Sequence, residues 1–107
     1  MGREERLAQN EVLFRVVNER LEELGRRTGT AEDGIDFVCE CADETCVQRI
    51  RLTLPEYERL RSDPRQFAVR PGHEQPIERL VADRGRYRVV AKTGVAGEIA
   101  EDADPRD

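Results

Sequence analysis

All three cysteines of this chain fall within eight positions, in Phe37-Val38-Cys39-Glu40-Cys41-Ala42-Asp43-Glu44-Thr45-Cys46. The only histidine, His73, stands in the turn-like stretch Arg70-Pro71-Gly72-His73-Glu74-Gln75-Pro76. An odd number of thiols cannot all pair within one molecule. Three thiolates and one imidazole, by contrast, make a complete tetrahedral shell for an ion of the zinc type. On a strand, residues two apart face the same way, so Cys39 and Cys41 point to one side and Glu40 to the other. A turn over residues 42–45 then returns Cys46 beside them. A Cys39–Cys41 disulfide is geometrically poor, because both residues belong to one extended stretch. His73 lies far along the chain, and ligands so separated tie two parts of a fold together, which is the structural use of zinc. The expected ligands are therefore Cys39, Cys41, Cys46 and His73 around a structural Zn2+. The spacing leaves open a non-histidine fourth ligand, redox-active thiols, and plain buried thiols. Glu74 is either an orienting partner for the imidazole or a solvated loop carboxylate.

A metal suits a chain of this kind. With 107 residues, 37% apolar residues, 5% aromatics and no Trp, the available core is small, and domains in that position often add a metal or a partner subunit. No stretch approaches the ~20 apolar residues of a membrane span. The start, Met1-Gly2-Arg3-Glu4-Glu5-Arg6, carries charge where a signal peptide is apolar. The expectation is a soluble cytoplasmic protein, where clustered cysteines read as metal ligands rather than disulfides.

The hydropathy pattern predicts an α+β fold: a long N-terminal amphipathic helix, then a small antiparallel sheet with one short inserted helix. Leu7, Phe14 and Leu21 recur every seven positions, and Asn10, Val17 and Leu24 form a second row, giving a heptad seam over residues 3–25 with Asn10 as its polar member. Gly25 is the expected stop. A helix this long outruns a small sheet, so Leu7 and Asn10 are expected to serve a protein partner or a second copy, while Val17, Leu21 and Leu24 pack on the domain. Strands are expected at 35–41, 47–52, 66–70, 77–82 (with a helix as the alternative there) and 87–92. Thr53-Leu54-Pro55-Glu56 has the spacing of a capping box opening a helix at 54–62. The organisation expected is a helix at 1–27, a zinc-binding α+β domain at 28–94, and a disordered acidic tail at 95–107.

Net charge is −5, with 28–54 at −4, 55–94 at +3 and 95–107 at −4. That total disfavours a dedicated nucleic-acid binder. Arg84, Arg86, Arg88 and Lys92, interleaved with Tyr87, keep a nucleic-acid or ribonucleoprotein contact module as an alternative.

The phrases Asn10-Glu11-Val12-Leu13-Phe14-Arg15, Phe37-Val38-Cys39-Glu40-Cys41, Leu54-Pro55-Glu56-Tyr57-Glu58-Arg59-Leu60-Arg61, Phe67 to Pro76, and Tyr87 to Lys92 occur in that order. As a set the chain resembles a family of short, uncharacterised bacterial proteins, over roughly residues 8–93. The resemblance implies one folded unit across 10–92 and no particular activity. A closed Cys3His shell has no position for water or substrate, and no second reactive set accompanies it, so an enzyme is not expected. The leading expectation is a zinc-stabilised regulatory or adaptor protein that acts by binding another macromolecule. A thiol redox sensor that releases zinc on oxidation is a third class.

Overall fold

A helix, α1 (Arg3–Thr28), opens the chain and runs further than its sequence predicts. It passes through Gly25 and closes at Gly29, whose φ of 72° is the left-handed conformation that ends helices. Arg26 and Arg27 occupy its last turn, where cations complement the helix dipole. At 1.5 Å per residue α1 is about 39 Å long, close to the 41 Å long axis of the molecule. The computed structural model describes residues 3–29, 34–41, 43, 45–75 and 78–106, with side chains from Gln9 onward. The side chain of Leu7 therefore lies outside the description.

Strands β1 (Ile35–Val38) and β2 (Arg49–Leu52) form the expected antiparallel hairpin, with Phe37 opposite Ile50. On β2, Ile50 and Leu52 are buried and Arg49 and Arg51 exposed, as alternation requires. Helix α2 (Leu54–Arg61) starts on the capping box: Thr53 Oγ1 accepts the Glu56 N–H at 3.3 Å, and Glu56 Oε1 accepts the Thr53 N–H at 2.8 Å. A second sheet follows, made of β3 (Gln66–Val69), β4 (Arg79–Asp83) and β5 (Arg88–Ala91), antiparallel in the order β3-β5-β4. The core joins Phe37, Leu52, Tyr57, Leu60, Phe67, Val69 and Val90. Phe37 and Tyr57 stack with ring centroids 4.3 Å apart.

Three expectations need correction. The first strand ends at Val38 rather than at residue 41. Cys39 N–H still reaches Gln48 O at 3.0 Å, but Glu40 N–H goes to Ala68 O at 2.9 Å, so the chain leaves the hairpin for the other sheet. The acidic tail is not disordered. It forms α3 (Gly94–Asp102), packed on α1 with Ala96, Gly97 and Ala100 buried. Its small residues allow close approach, and a Cβ on Gly97 would lie 2.9 Å from the Lys92 carbonyl oxygen. Three of its charges are paired: Glu101 with Arg65 at 2.6 Å, Asp104 with Arg61, and Arg106 with Glu19 at 2.5 Å and Glu58 at 2.7 Å.

The third correction concerns α1. Its buried stripe is polar, made of Glu11, Arg15, Asn18 and Glu22. Val17 and Leu24, expected to pack on the domain, are instead 45% and 47% exposed, beside Leu13 at 63% and Val16 at 48%. Leu21 is half-buried against the core, and Asn10 is half-buried on the helix flank. No helix among the described residues is long and apolar enough to cross a membrane.

Candidate metal centre

Local turn chemistry delivers each of the four predicted ligands. Cys39 and Cys41 lie on the extended run that follows β1, and both are buried. Asp43 builds the turn after them: its Oδ1 accepts Thr45 N–H at 2.9 Å and Thr45 Oγ1–H at 2.6 Å, and its carbonyl accepts Cys46 N–H at 3.0 Å. That closure returns Cys46 beside the first two thiols. His73 arrives on a turn in which its N–H donates to Arg70 O at 2.9 Å. Pro71 suits the second position of such a turn, and Gly72 takes the positive φ, 91°, that the third requires.

The ligand atoms of Cys39, Cys41, Cys46 and His73 all lie within 4.8 Å of one another. His73 Nδ1 stands 3.6 Å from Cys39 Sγ and 3.7 Å from Cys46 Sγ. All three cysteines are free of disulfides. The four side chains can hold a metal ion. Compared with family models, curated proteins and solved structures, the chain finds no match.

The thiols differ in how readily they ionise. Cys39 is held below the usual thiol range, first by a hydrogen bond from Cys41 and further by the Arg70 N–H, which lies 3.3 Å from its sulfur. Cys41, which supplies that proton, is pushed up. Burial pushes Cys46 up. Metal binding would replace the proton that Cys39 and Cys41 share. Glu74 does not reach the imidazole in the way the sequence allows. It accepts the Gly72 N–H at 3.1 Å and pairs with Arg88 at 2.7 Å, so it braces the turn that carries His73. A shallow cleft beside the centre is lined by Cys41, Asp43, Gly72, His73, Glu74 and Gln75.

Between the two paired cysteines, Glu40 points the opposite way and is fully buried. Arg15 of α1 grips it with Nε at 2.7 Å and Nη2 at 3.0 Å. Asn18 Nδ2 donates to it at 3.0 Å, and so does Ala68 N–H at 3.0 Å. Asn18 also donates to Val38 O at 2.9 Å and accepts Val38 N–H at 2.8 Å. It thus pairs with the open edge of β1 as a neighbouring strand would. Arg15 Nη2 reaches Gln66 O, and its guanidinium lies 4.2 Å above the Phe67 ring.

A second buried group lies alongside. Lys92 Nζ sits 2.5 Å from Glu11 Oε1 and also pairs with Glu78. Glu11 Oε2 has no hydrogen-bond partner among the described residues. Burial pushes the Glu11 carboxyl up to about 7 despite the ammonium, and burial pushes Lys92 down.

Sequence reasoning missed Glu11, Arg15, Asn18 and Glu40. The available signal was the helical spacing of Glu11, Arg15, Asn18 and Glu22, which reads most simply as a solvent face. The basic residues of the nucleic-acid alternative do not form one open face. Lys92 follows directly on β5, the central strand of its sheet, and is buried beside Glu11 of α1. Arg86 donates to Arg51 O at 2.7 Å and pairs with Glu56 at 3.1 Å. Arg88 pairs with Glu74 and with Asp83. Arg84 is exposed.

Proposed function

We propose that the protein is a small zinc-stabilised binding module: a structural Zn2+ closes the cysteine–histidine tetrahedron, and the domain so fixed presents α1 to another macromolecule as an adaptor or regulator. The chemistry of the donors supports zinc. Thiolate and imidazole are its preferred ligands, and bond lengths of about 2.3 Å to sulfur and 2.0 Å to nitrogen set tetrahedral S···N edges of about 3.6 Å. Cys39 and Cys46 stand 3.6 and 3.7 Å from His73 Nδ1. Four protein donors fill a tetrahedron, which supports a structural rather than a hydrolytic metal.

The observation that carries the binding role is the inversion of α1. Its inner stripe is Glu11, Arg15, Asn18 and Glu22, and its outer face holds Leu13, Val16, Val17 and Leu24. A helix that only completed its own domain would bury the apolar side. An exposed row of aliphatic side chains on a rigid helix is the usual mark of a contact surface. The test pairs a metal count with an association assay. The protein should carry about one zinc per chain, and the double substitution Leu13→Ser, Leu24→Ser should keep zinc and melting temperature while losing partner association in cross-linked cells. If the double variant associates as the wild type does, α1 is not the contact surface.

A further inference from the structure

A row of side chains along the outer side of α1, exposed except for the half-buried Leu21, is its own mirror image. Leu13, Val16 and Val17 are followed by Arg20, Leu21 and Leu24, and the intervals read the same in both directions about a point between Asn18 and Glu19. Five of the six are aliphatic. Leu13, Val16, Val17 and Leu24 are each close to half exposed or more. Leu21 lies in a shallow apolar groove with Val16, Val17 and Pro105.

We propose that this face is covered by the same face of a second copy, with two α1 helices antiparallel about a two-fold axis beside Asn18 and Glu19. The proposal rests on the reading of α1 as a contact surface and names its occupant. An isologous interface needs one patch complementary to itself under a two-fold rotation, and the mirror-image row meets that need. Leu13 then faces the partner's Leu24, Val16 faces the partner's Leu21, and Val17 faces the partner's Arg20. The guanidinium of Arg20 is already turned to Glu23 of its own helix, 3.5 Å away. Its methylene stem can therefore lie over valine while the charge stays at the rim.

Area and rigidity agree with this. A patch of this kind covers on the order of several hundred Å2 on one copy, so two copies remove roughly 1,000 Å2 from water, the lower threshold of a specific interface. The dimer should therefore be reversible on dilution. The helix cannot roll its apolar side inward instead, because Arg15 and Asn18 are bound to Glu40 and Val38 on the opposite side.

The experiment is analytical ultracentrifugation of the zinc-loaded full chain over a wide concentration range, with zinc content and melting temperature measured on every sample. The wild type should show a monomer–dimer equilibrium. Val17→Glu should weaken it roughly 100-fold or more, since the two-fold axis places the new carboxylate in the interface twice. Arg20→Leu removes the one charged member of the row and should tighten it about tenfold. Leu13→Ser serves as the weakening variant should Val17→Glu fail to fold. A photo-crosslinking residue at position 13 should attach to the partner's Leu24. A zinc-bound chain that stays monomeric throughout would overturn the dimer and leave the zinc-domain reading standing. A dimer indifferent to these substitutions, a 13-to-13 cross-link, or a monomer that uses this face for a different protein or a lipid vesicle would also overturn it. A chain without zinc would instead contradict the metal reading.

Discussion

Glu40 is the residue on which the molecule turns. Its two neighbours are cysteines of the candidate metal centre, and its carboxylate accepts from Arg15, Asn18 and Ala68 N–H with no exposure to solvent. Removing one partner of a buried ion pair leaves the other charge uncompensated, at a cost of about 3–5 kcal/mol. Glu40→Ala should therefore lower unfolding free energy by about that amount in urea titrations of zinc-saturated protein. It should also raise hydrogen exchange along α1 before the sheet is affected. Glu11 makes a prediction of the opposite sign. Its folded-state pKa is raised from 4.5 to about 7, so the folded chain holds this proton where the unfolded chain has lost it. Its contribution is full below about pH 4.5 and declines as pH rises toward 7. Glu11→Gln mimics the protonated form and leaves Lys92 to Glu78. Above pH 7 it should be more stable than the wild type by on the order of 2–3 kcal/mol, and the difference should vanish near pH 4.5. Taking the difference between two zinc-saturated proteins cancels the pH dependence of the metal itself. An unchanged difference across that range would mean Glu11 does not titrate there.

At the scale of elements, order and type were legible for all but α3, and the buried side of α1 was not. The hairpin, the capped α2 and the strands of the second sheet follow from alternation, Thr53-Leu54-Pro55-Glu56 and the turn at Gly85. Periodicity finds a helix but not which side faces inward, and here Asn18 and Arg15 are inward because Val38 and Glu40 offer buried hydrogen-bonding groups. Those demands arise from residues far along the chain, beyond the reach of any local pattern. The tail was misread for a related reason. Its small residues look like poor core material, yet they let α3 lie close to its neighbours. Gly97→Val should therefore cost about 1–3 kcal/mol, as overpacking does, and should loosen α3 selectively. Protection of α3 amides unchanged from the wild type would show that the contact is not tight.

At the scale of the whole molecule, the clustering of Cys39, Cys41, Cys46 and His73 was the most legible feature. Rare residue types with few alternatives point to one another, and Pro71-Gly72 and Asp43 supply the turns that let them meet. They join the end of the first hairpin strand, the turn after it, and the loop between β3 and β4. A metal held there would crosslink both sheets, and through Glu40 its order would pass to α1. The apolar core of this chain is small, and net stability of a domain this size is ~5–15 kcal/mol, while structural zinc contributes apparent values of ~10–16 kcal/mol. Loss of the metal should therefore be loss of the fold. Cys39→Ser, Cys41→Ser and Cys46→Ser should each unfold the hairpin or the whole domain, and His73→Ala should weaken the metal less, because three thiolates remain. The most direct measurement is circular dichroism and melting of the purified chain before and after chelation, with zinc counted in parallel. About one zinc per chain and collapse of both signals on its removal is the predicted result; a metal-free chain with the same spectrum and the same melting temperature would contradict the account.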